Sequence, residues 1–248
     1  MAVSVTAALL IIGDEILTGR TKDKNIGYIA EYLTGIGIDL REVRVVPDVE
    51  EEIVAAVNAL RHRFTYVFTT GGIGPTHDDI TADSLAKAFG VEIDHDPRAV
   101  AMLRERYPAH AVNEARMRMA RIPKGADLID NPISKAPGFR IGNVFVMAGV
   151  PSIMQVMLDS IAPTLATGAK MISVMIEAEG LAEGHYAEGL AAIAADEPRV
   201  SIGSYPSFSA AGFRNQIVVR GKDPAAVEAA EAAVRQLLNR LKGDRSPL

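Results

Sequence analysis

The sequence has no cysteine and no tryptophan among its 248 residues. Without cysteine, the chain cannot form disulfides, thiolate metal sites or a cysteine nucleophile. Aromatic residues are only 5% of the composition, so stacking on aromatic side chains is not expected to dominate ligand recognition. No apolar run approaches the roughly 20 residues that a membrane-spanning helix needs, and no membrane partner is expected.

Positive charge is also scarce. The net charge is −5 and no basic tract occurs, which argues against nucleic acid as the main partner. The content of 48% hydrophobic and 23% charged residues is typical of a soluble globular protein. The apolar segment Met1–Ile12 lacks a basic leader, so we interpret it as containing a core strand rather than a signal peptide and expect a cytoplasmic location.

Strand-like and helix-like segments alternate up to about Leu165, which predicts a mostly parallel sheet with helices on both faces. The continuous apolar run Val5–Ile12 is typical of a strand covered on both sides. The other predicted strands are 38–46, 65–70 and a hairpin-like pair within 138–147, and the predicted helices are 25–34, 49–63, 81–89, 97–107, 113–121 and 150–165.

The order of elements changes after a plausible linker, Ala166–Lys170. The tail predicts strand, helix, strand, strand, helix over 171–177, 183–195, 199–205, 213–220 and 224–241. This pattern is too short for another doubly wound unit. We therefore expect two domains, 1–167 and 168–248, the second a small α+β domain.

The segments that follow the predicted parallel strands share glycine, proline or carboxylate residues. Ligands of open α/β sheets bind at the carboxyl ends of the strands, so these segments are expected to meet at one edge. They are Gly13–Arg20, Pro47–Asp48, Gly71–Asp79 and Ala148–Pro151.

The segment "GGIGPTHDD", residues 71–79, has two interpretations. Glycines ahead of a helix can expose successive N–H groups that cradle a phosphate, although the pattern is neither a Walker A loop nor GxGxxG. The alternative is a plain turn. Asp78 and Asp79 are likewise either helix caps or oxygen ligands for Mg²⁺ that accompanies a substrate phosphate.

The other candidate charges have similar alternatives. Asp48 fits a capping box with Glu51, whereas Asp14 and Glu15 lie in a glycine-bounded loop with no predicted helix directly after them. Lys135 either reaches a phosphate or is merely solvated. The histidines show no metal-ligand spacing, and no nucleophile–base pair stands out. The residues thus indicate a nucleotide-like or phosphorylated ligand, with phosphoanhydride chemistry as one option.

Four segments together resemble a known family: "LIIGDEILTGRTKDKN", "GGIGPTHDDIT", "NPISKAPGF" and "MAGVPSIM". They are similar to the molybdopterin-binding MoaB/Mog domain, in the version that opens CinA (competence/damage-inducible) proteins, and to the non-synthetase half of eukaryotic FAD synthase. The resemblance covers about residues 5–165. The tail resembles the small KH-type domain that follows in CinA proteins, whose terminal deamidase domain has no counterpart here.

The resemblance implies a three-layer α/β/α fold, and a homo-oligomer that is a dimer or trimer. It also implies metal-dependent hydrolysis of a dinucleotide such as ADP-ribose or FAD, with Mg²⁺, Mn²⁺ or Co²⁺. The acids at two family positions, Asp48 and Asp79, are the expected catalytic residues. The expected metal ligands are Asp14, Asp78 and Asp79. The expected ligand-binding residues are Gly13, Asp14, Glu15, Gly71, Gly72, Gly74, Pro75, Thr76, Lys135 and Gly149.

Three departures from the family pattern leave alternatives open. Ile73 stands where the adenylyltransferase branch usually has threonine, which weakens adenylyl transfer to molybdopterin as the activity. Ser134–Lys135 replaces a common Gly-Thr, and Ala148 replaces a proline. A non-catalytic molybdopterin-binding protein is the remaining alternative.

Overall fold

The computed structural model describes residues 4–209 and 212–243. The chain divides into two compact units, Met1–Gly168 and Ala169–Leu248. The division falls one residue after the boundary expected from the sequence. Residues 1–3, 210–211 and 244–248 of the expected domains lie outside the described residues.

Within the described residues, the first unit contains eight strands: β1 (Thr6–Ile12), β2 (Asp39–Val46), β3 (Tyr66–Thr70), β4 (Ile93–His95), β5 (Arg121–Pro123), β6 (Asp127–Ile129), β7 (Gly138–Ile141) and β8 (Val144–Met147). Six of them form a sheet in the order β2-β1-β3-β8-β7-β6. The first four strands of this order run parallel, and β7 and β6 continue antiparallel. The carboxyl ends of β2, β1, β3 and β8 therefore meet at one edge.

Seven α-helices accompany these strands in the described part of the unit: α1 (Asp14–Leu17), α2 (Asn25–Gly35), α3 (Glu50–Arg61), α4 (Thr81–Phe89), α5 (Pro97–Arg106), α6 (Glu114–Arg118) and α7 (Pro151–Ile161). Alternate residues of β1 face opposite layers. Ala8, Leu10 and Ile12 contact the core beneath α3 and α4, whereas Ala7, Leu9 and Ile11 contact the core beneath α2 and α7. The predicted three-layer α/β/α fold is confirmed.

The sequence pattern missed the shortest elements. The helix predicted over 113–121 is wrong in its second half, where α6 ends at Arg118 and β5 begins at Arg121. Strand β5 pairs antiparallel with β4 in a separate two-stranded sheet. Strands of three residues, such as β4, β5 and β6, contain too few alternations for periodicity to reveal them.

The second unit contains β9 (Ile172–Glu179), α8 (Ala187–Asp196), β10 (Val200–Tyr205), β11 (Phe208–Ser209), β12 (Gly212–Gly221) and α9 (Pro224–Gly243). β12 pairs antiparallel with β9, β10 and β11. One face of this sheet packs on the two helices through a core that includes Ile176, Ile217 and Val219. The small α+β unit expected from the sequence is thus confirmed. In the described residues, no helix is long and apolar enough to cross a membrane.

Candidate functional site

The loops that follow the four parallel strands are joined by backbone hydrogen bonds. The Gly13 N–H donates to the Val46 carbonyl at 3.1 Å, which joins the ends of β1 and β2. The Gly71 N–H donates to the Met147 carbonyl at 3.2 Å, which joins the ends of β3 and β8. The four segments that were expected to meet at one edge of the sheet do so, and backbone hydrogen bonds join them in pairs.

Close backbone approach explains two of the glycines. Gly71 has a φ of 106°, and a Cβ there would lie 2.1 Å from the Ile12 carbonyl oxygen. Gly149 packs against it, because a Cβ on Gly149 would lie 3.3 Å from the Gly71 Cα. Since the Gly71 N–H already donates to the Met147 carbonyl, this glycine serves close packing, and the phosphate donors expected of the loop are left to its other residues.

The next part of the glycine loop presents unused donors. The N–H groups of Gly72, Ile73 and Gly74 donate no hydrogen bond within the described residues. Gly72 has a φ of 65°, and a Cβ there would lie 2.2 Å from the Thr81 hydroxyl oxygen. Residues 72–74 all line the cleft, so their free N–H groups are candidates for binding a ligand there.

Asp79 braces this loop. Its Oδ2 accepts hydrogen bonds from the Thr76 N–H at 2.8 Å and from the Thr76 hydroxyl at 2.6 Å. Arg118 holds the loop from outside, because its Nε donates to the Thr76 carbonyl at 3.1 Å. Neither Asp78 nor Asp79 caps the following helix, whose N-cap residue is Ile80 and has no side-chain cap bond. The helix-cap interpretation of this pair is therefore wrong.

Asp48 does not cap a helix either. The N-cap residue of α3 is Val49, so the capping box predicted for Asp48 and Glu51 is wrong. Asp48 Oδ2 instead accepts the Asp14 N–H at 3.0 Å. Burial raises the pKa of Asp48, and the nearby charges of Asp14, Glu15 and Asp78 raise it further, while the Asp14 hydrogen bond opposes the shift.

These loops enclose an open cleft of about 590 Å³, a volume within the range of small-molecule sites. The residues of the expected site that line it are Gly13, Glu15, Asp48, Gly71, Gly72, Gly74, Pro75, Asp78, Asp79 and Gly149. Asp14 and Thr76 do not line the cleft. They act on its walls through their hydrogen bonds with Asp48 and Asp79. Three carboxylates of the wall come from three different segments: Glu15 from the short helix α1, Asp48 from the loop after β2 and Asp78 from the glycine loop. The expectation that Asp14 and Glu15 lie in a loop is wrong, because both belong to the first turn of α1.

The chain matches the family described as "Probable molybdopterin binding domain" over residues 8–167. The chain belongs to this family. Residues 173–243 match the middle domain of FAD synthase. The expected MoaB/Mog-type resemblance is thereby confirmed, and the second unit of this molybdopterin-binding-family protein corresponds to the FAD synthase match.

Individual relatives agree with the family. A protein of Pyrobaculum calidifontis is 32% identical over 251 residues, which is 96% of each chain. A probable FAD synthase of Caenorhabditis elegans is 31% identical over 94% of this chain, but this chain spans only 50% of that protein. The crystal structure of the protein CinA from Thermoplasma acidophilum is 33% identical, with a TM-score of 0.62, and covers 65% of this chain and 98% of its own.

One expected residue of this family member lies away from the cleft. Lys135 does not line it, and its Nζ lies 3.7 Å from Glu105 Oε1. Its neighbours Asn131 and Ser134 line the cleft instead, and the Asn131 amide donates to the Ser134 hydroxyl at 2.6 Å. Sequence reasoning selected the right segment but chose its charged residue, whereas the chain turns its small polar residues inward.

The donor set fits one kind of metal site. Among the described residues, no group of three or more histidine, aspartate or glutamate side chains is placed to hold a metal ion by itself. Mg²⁺ is commonly held by one or two carboxylates together with water and substrate phosphates. Of the expected metal ligands, Asp78 lines the cleft, whereas Asp14 does not and Asp79 Oδ2 already accepts two hydrogen bonds from Thr76. Glu15 and Asp48 are further carboxylates that the cleft wall can supply. The residues therefore fit a hard divalent ion whose coordination a phosphorylated ligand completes, rather than an all-protein cage.

Proposed function

We propose that this protein hydrolyses the diphosphate bond of a dinucleotide such as ADP-ribose or FAD, with the help of a divalent metal ion. The observation that carries the proposal is one cleft lined both by Glu15, Asp48 and Asp78 and by residues 72–74, whose N–H groups donate no hydrogen bond within the described residues. Backbone N–H groups bind phosphate oxygens, and carboxylates bind hard cations. The cleft thus offers carboxylates to the metal ion and N–H groups to the diphosphate.

Each residue has a defined task in this reaction. The loop 72–74 binds the diphosphate, and Asp79 and Arg118 hold that loop in shape. A water molecule attacks one phosphorus atom, the bond from that phosphorus to the bridging oxygen breaks, and the bridging oxygen leaves with the second phosphate. A divalent ion held by the carboxylates of Glu15 and Asp78 would neutralise charge on the phosphate oxygens. Asp48 lines the same cleft, accepts one hydrogen bond, from the Asp14 N–H, and accepts the proton of the attacking water.

The name of the matched family and the name of one relative support the choice of ligand. The family name refers to molybdopterin, and the probable FAD synthase of Caenorhabditis elegans is named for a dinucleotide. Both compounds join a ring system to phosphate. The proposal favours the dinucleotide, because the match to FAD synthase extends through both units of the chain.

The test is release of AMP from ADP-ribose and from FAD in the presence of Mg²⁺, Mn²⁺ or Co²⁺. Asp48→Asn should lower kcat by about 100-fold, the typical cost of removing one group that acts on the transition state. Glu228→Gln, an exposed acid on α9 in the second unit, is the matched control and should retain full turnover. Full turnover by Asp48→Asn would contradict the proposed role of this residue, and no AMP release by the parent protein would contradict the activity.

Molybdopterin binding without turnover is the second candidate. It is favoured by the family match and by the lack of a self-sufficient metal-binding group in the described residues. This candidate expects saturable binding of molybdopterin by the parent protein and by Asp48→Asn, with no product under any of the three metal ions. The same assays therefore separate the two candidates.

A further inference from the structure

A second, smaller cavity adjoins the cleft. This side cavity has a volume of about 240 Å³ and shares Glu15, Gly71 and Gly149 with the cleft wall. Its remaining wall is formed largely by residues 21–25 and by Thr70 at the end of β3. It is smaller than most complete ligand sites, so it is suited to one end of a ligand that also occupies the cleft.

Two buried polar side chains in this wall each have an oxygen atom with no hydrogen-bond partner among the described residues. Asn25 is only 4% exposed; its Nδ2 donates to the Gly149 carbonyl at 2.9 Å, but its Oδ1 has no partner among the described residues. Thr70 is 1% exposed, and its hydroxyl has no partner there either. Buried polar atoms without partners are rare, because each one costs free energy. Two of them in one cavity wall point to a ligand that completes their hydrogen bonds.

Neither a free helix N-terminus nor a net positive charge is available to phosphate in the described wall of the side cavity. The first N–H groups of α2, which would otherwise attract an anion, are occupied: Asp23 Oδ1 accepts from Asn25 at 3.0 Å and from Ile26 at 2.7 Å. The wall also contains two acids, Asp23 and Glu15, and two lysines, Lys22 and Lys24, whose formal charges cancel. An uncharged group with hydrogen-bond donors suits this environment, since Asn25 Oδ1 accepts and the Thr70 hydroxyl both donates and accepts.

We infer that the side cavity binds the uncharged, donor-bearing end of the ligand, such as the hydroxyl groups of a sugar, while the phosphates occupy the cleft. This inference rests on the proposed function for its two-part ligand, and it adds a basis for selectivity. A nucleoside diphosphate sugar such as ADP-ribose then fills both cavities, whereas pyrophosphate fills only the cleft. Asn25 and Thr70 are then specificity-determining residues.

Neighbouring residues of β3 provide a matched pair of variants. Thr69 is also buried with an unpartnered hydroxyl, but it lines neither cavity. Thr70→Val and Thr69→Val remove the same atom from adjacent positions of one strand. Because neither hydroxyl has a partner, both variants should unfold at or above the temperature of the parent protein. Thr70→Ser, which keeps the hydroxyl, is the conservative variant.

The measurement is isothermal titration calorimetry with ADP-ribose and with inorganic pyrophosphate, using Ca²⁺ as the divalent ion, and AMP release with Mg²⁺ in parallel. Thr70→Val should raise the Kd for ADP-ribose about fivefold, the loss of one ordinary hydrogen bond, and leave the Kd for pyrophosphate unchanged. Thr69→Val and Thr70→Ser should match the parent protein with both probes.

The outcomes separate this inference from the proposed function. If Thr70→Val binds ADP-ribose as Thr69→Val does while AMP is released, the side-cavity inference is wrong and the activity stands. If Thr70→Val selectively loses affinity but no AMP is released, the inference stands and the hydrolase proposal is wrong. If the parent protein binds neither ADP-ribose nor FAD, both are wrong.

Discussion

Two loops of the cleft use aspartate in opposite ways. In the glycine loop 71–79, Asp79 accepts two hydrogen bonds from Thr76 and holds its own loop together. In the acidic corner formed by Asp14, Glu15 and Asp48, Asp48 accepts one N–H bond, and its neighbours are like charges that raise its pKa. Hydrogen bonds within the loop stabilise the carboxylate of Asp79, whereas burial and the neighbouring negative charges destabilise the ionised form of Asp48.

This difference suggests a basis for locating the reactive carboxylate of the proposed function. Groups that are held unfavourably in the free protein are the ones that a ligand or cation can relieve, and perturbed carboxylates tend to cluster at functional sites. Under the proposed function, the chemistry belongs to the acidic corner and the shaping of the cleft to the glycine loop. Substitutions in each loop test the assignment.

Gly71→Ala should have the largest effect on stability, because the new methyl group would push the glycine loop away from the end of β1. The new Cβ would lie 2.1 Å from the Ile12 carbonyl oxygen, which belongs to the central strand and cannot move aside, and φ is 106°. We expect a loss of about 3–4 kcal/mol in the free energy of unfolding, measured by urea denaturation.

Gly90→Ala is the control for this substitution. Gly90 also has a left-handed φ, 65°, but nothing lies within 4 Å of its missing Cβ. It should cost only about 1 kcal/mol, the cost of the backbone conformation alone. Equal losses in the two variants would show that the contact with Ile12 contributes nothing.

Much of the fold could be predicted from the sequence, because its long elements have strong patterns. The apolar run of β1 indicates a strand covered on both faces, and the four loops with glycine and acids do meet at one edge of the sheet. The rule that ligands bind beyond the carboxyl ends of parallel strands needs only the order of elements. Short strands such as β4 and β6 could not be predicted, since pairing with distant residues creates them.

The roles of individual site residues were harder to predict. Sequence spacing suggested caps for Asp48 and for the pair Asp78–Asp79, yet neither helix uses a side-chain cap. The hydrogen bond from Asp14 to Asp48 joins two loops 34 positions apart, and local spacing contains no trace of it. Lys135 stood out by its charge, but whether a side chain faces the cleft depends on backbone conformation, here a left-handed φ of 62° at Lys135 itself.

Asp79→Ala should have an intermediate effect and tests the structural half of the comparison. The substitution leaves the Thr76 N–H and hydroxyl without their acceptor, so we expect a loss of about 1–2 kcal/mol in the free energy of unfolding. Asp78→Ala removes the adjacent, more exposed carboxylate and should destabilise the protein less than Asp79→Ala does. An equal loss for both variants would deny Asp79 its special role in the loop.

Asp48→Asn should have the smallest effect and the opposite sign. A carboxyl group whose pKa is raised in the folded protein binds protons more tightly there than in the unfolded chain, so its ionisation opposes folding above the folded pKa. Asparagine removes the charge, and its side-chain oxygen can still accept the Asp14 N–H. In metal-free buffer at neutral pH, we expect the variant to be more stable than the parent by less than about 1 kcal/mol, because Asp48 is only partly buried and water screens the charges around it.

The pH dependence decides whether charge is the cause. The advantage of Asp48→Asn should be greatest at neutral pH and should shrink as the pH falls through the raised pKa, because the parent protein then also carries an uncharged side chain. Urea denaturation of both proteins across that range measures the difference, with Glu228→Gln as the control for loss of one acid elsewhere. A stability gain that does not change with pH would mean that packing, rather than crowding of carboxylates, distinguishes the acidic corner from the glycine loop.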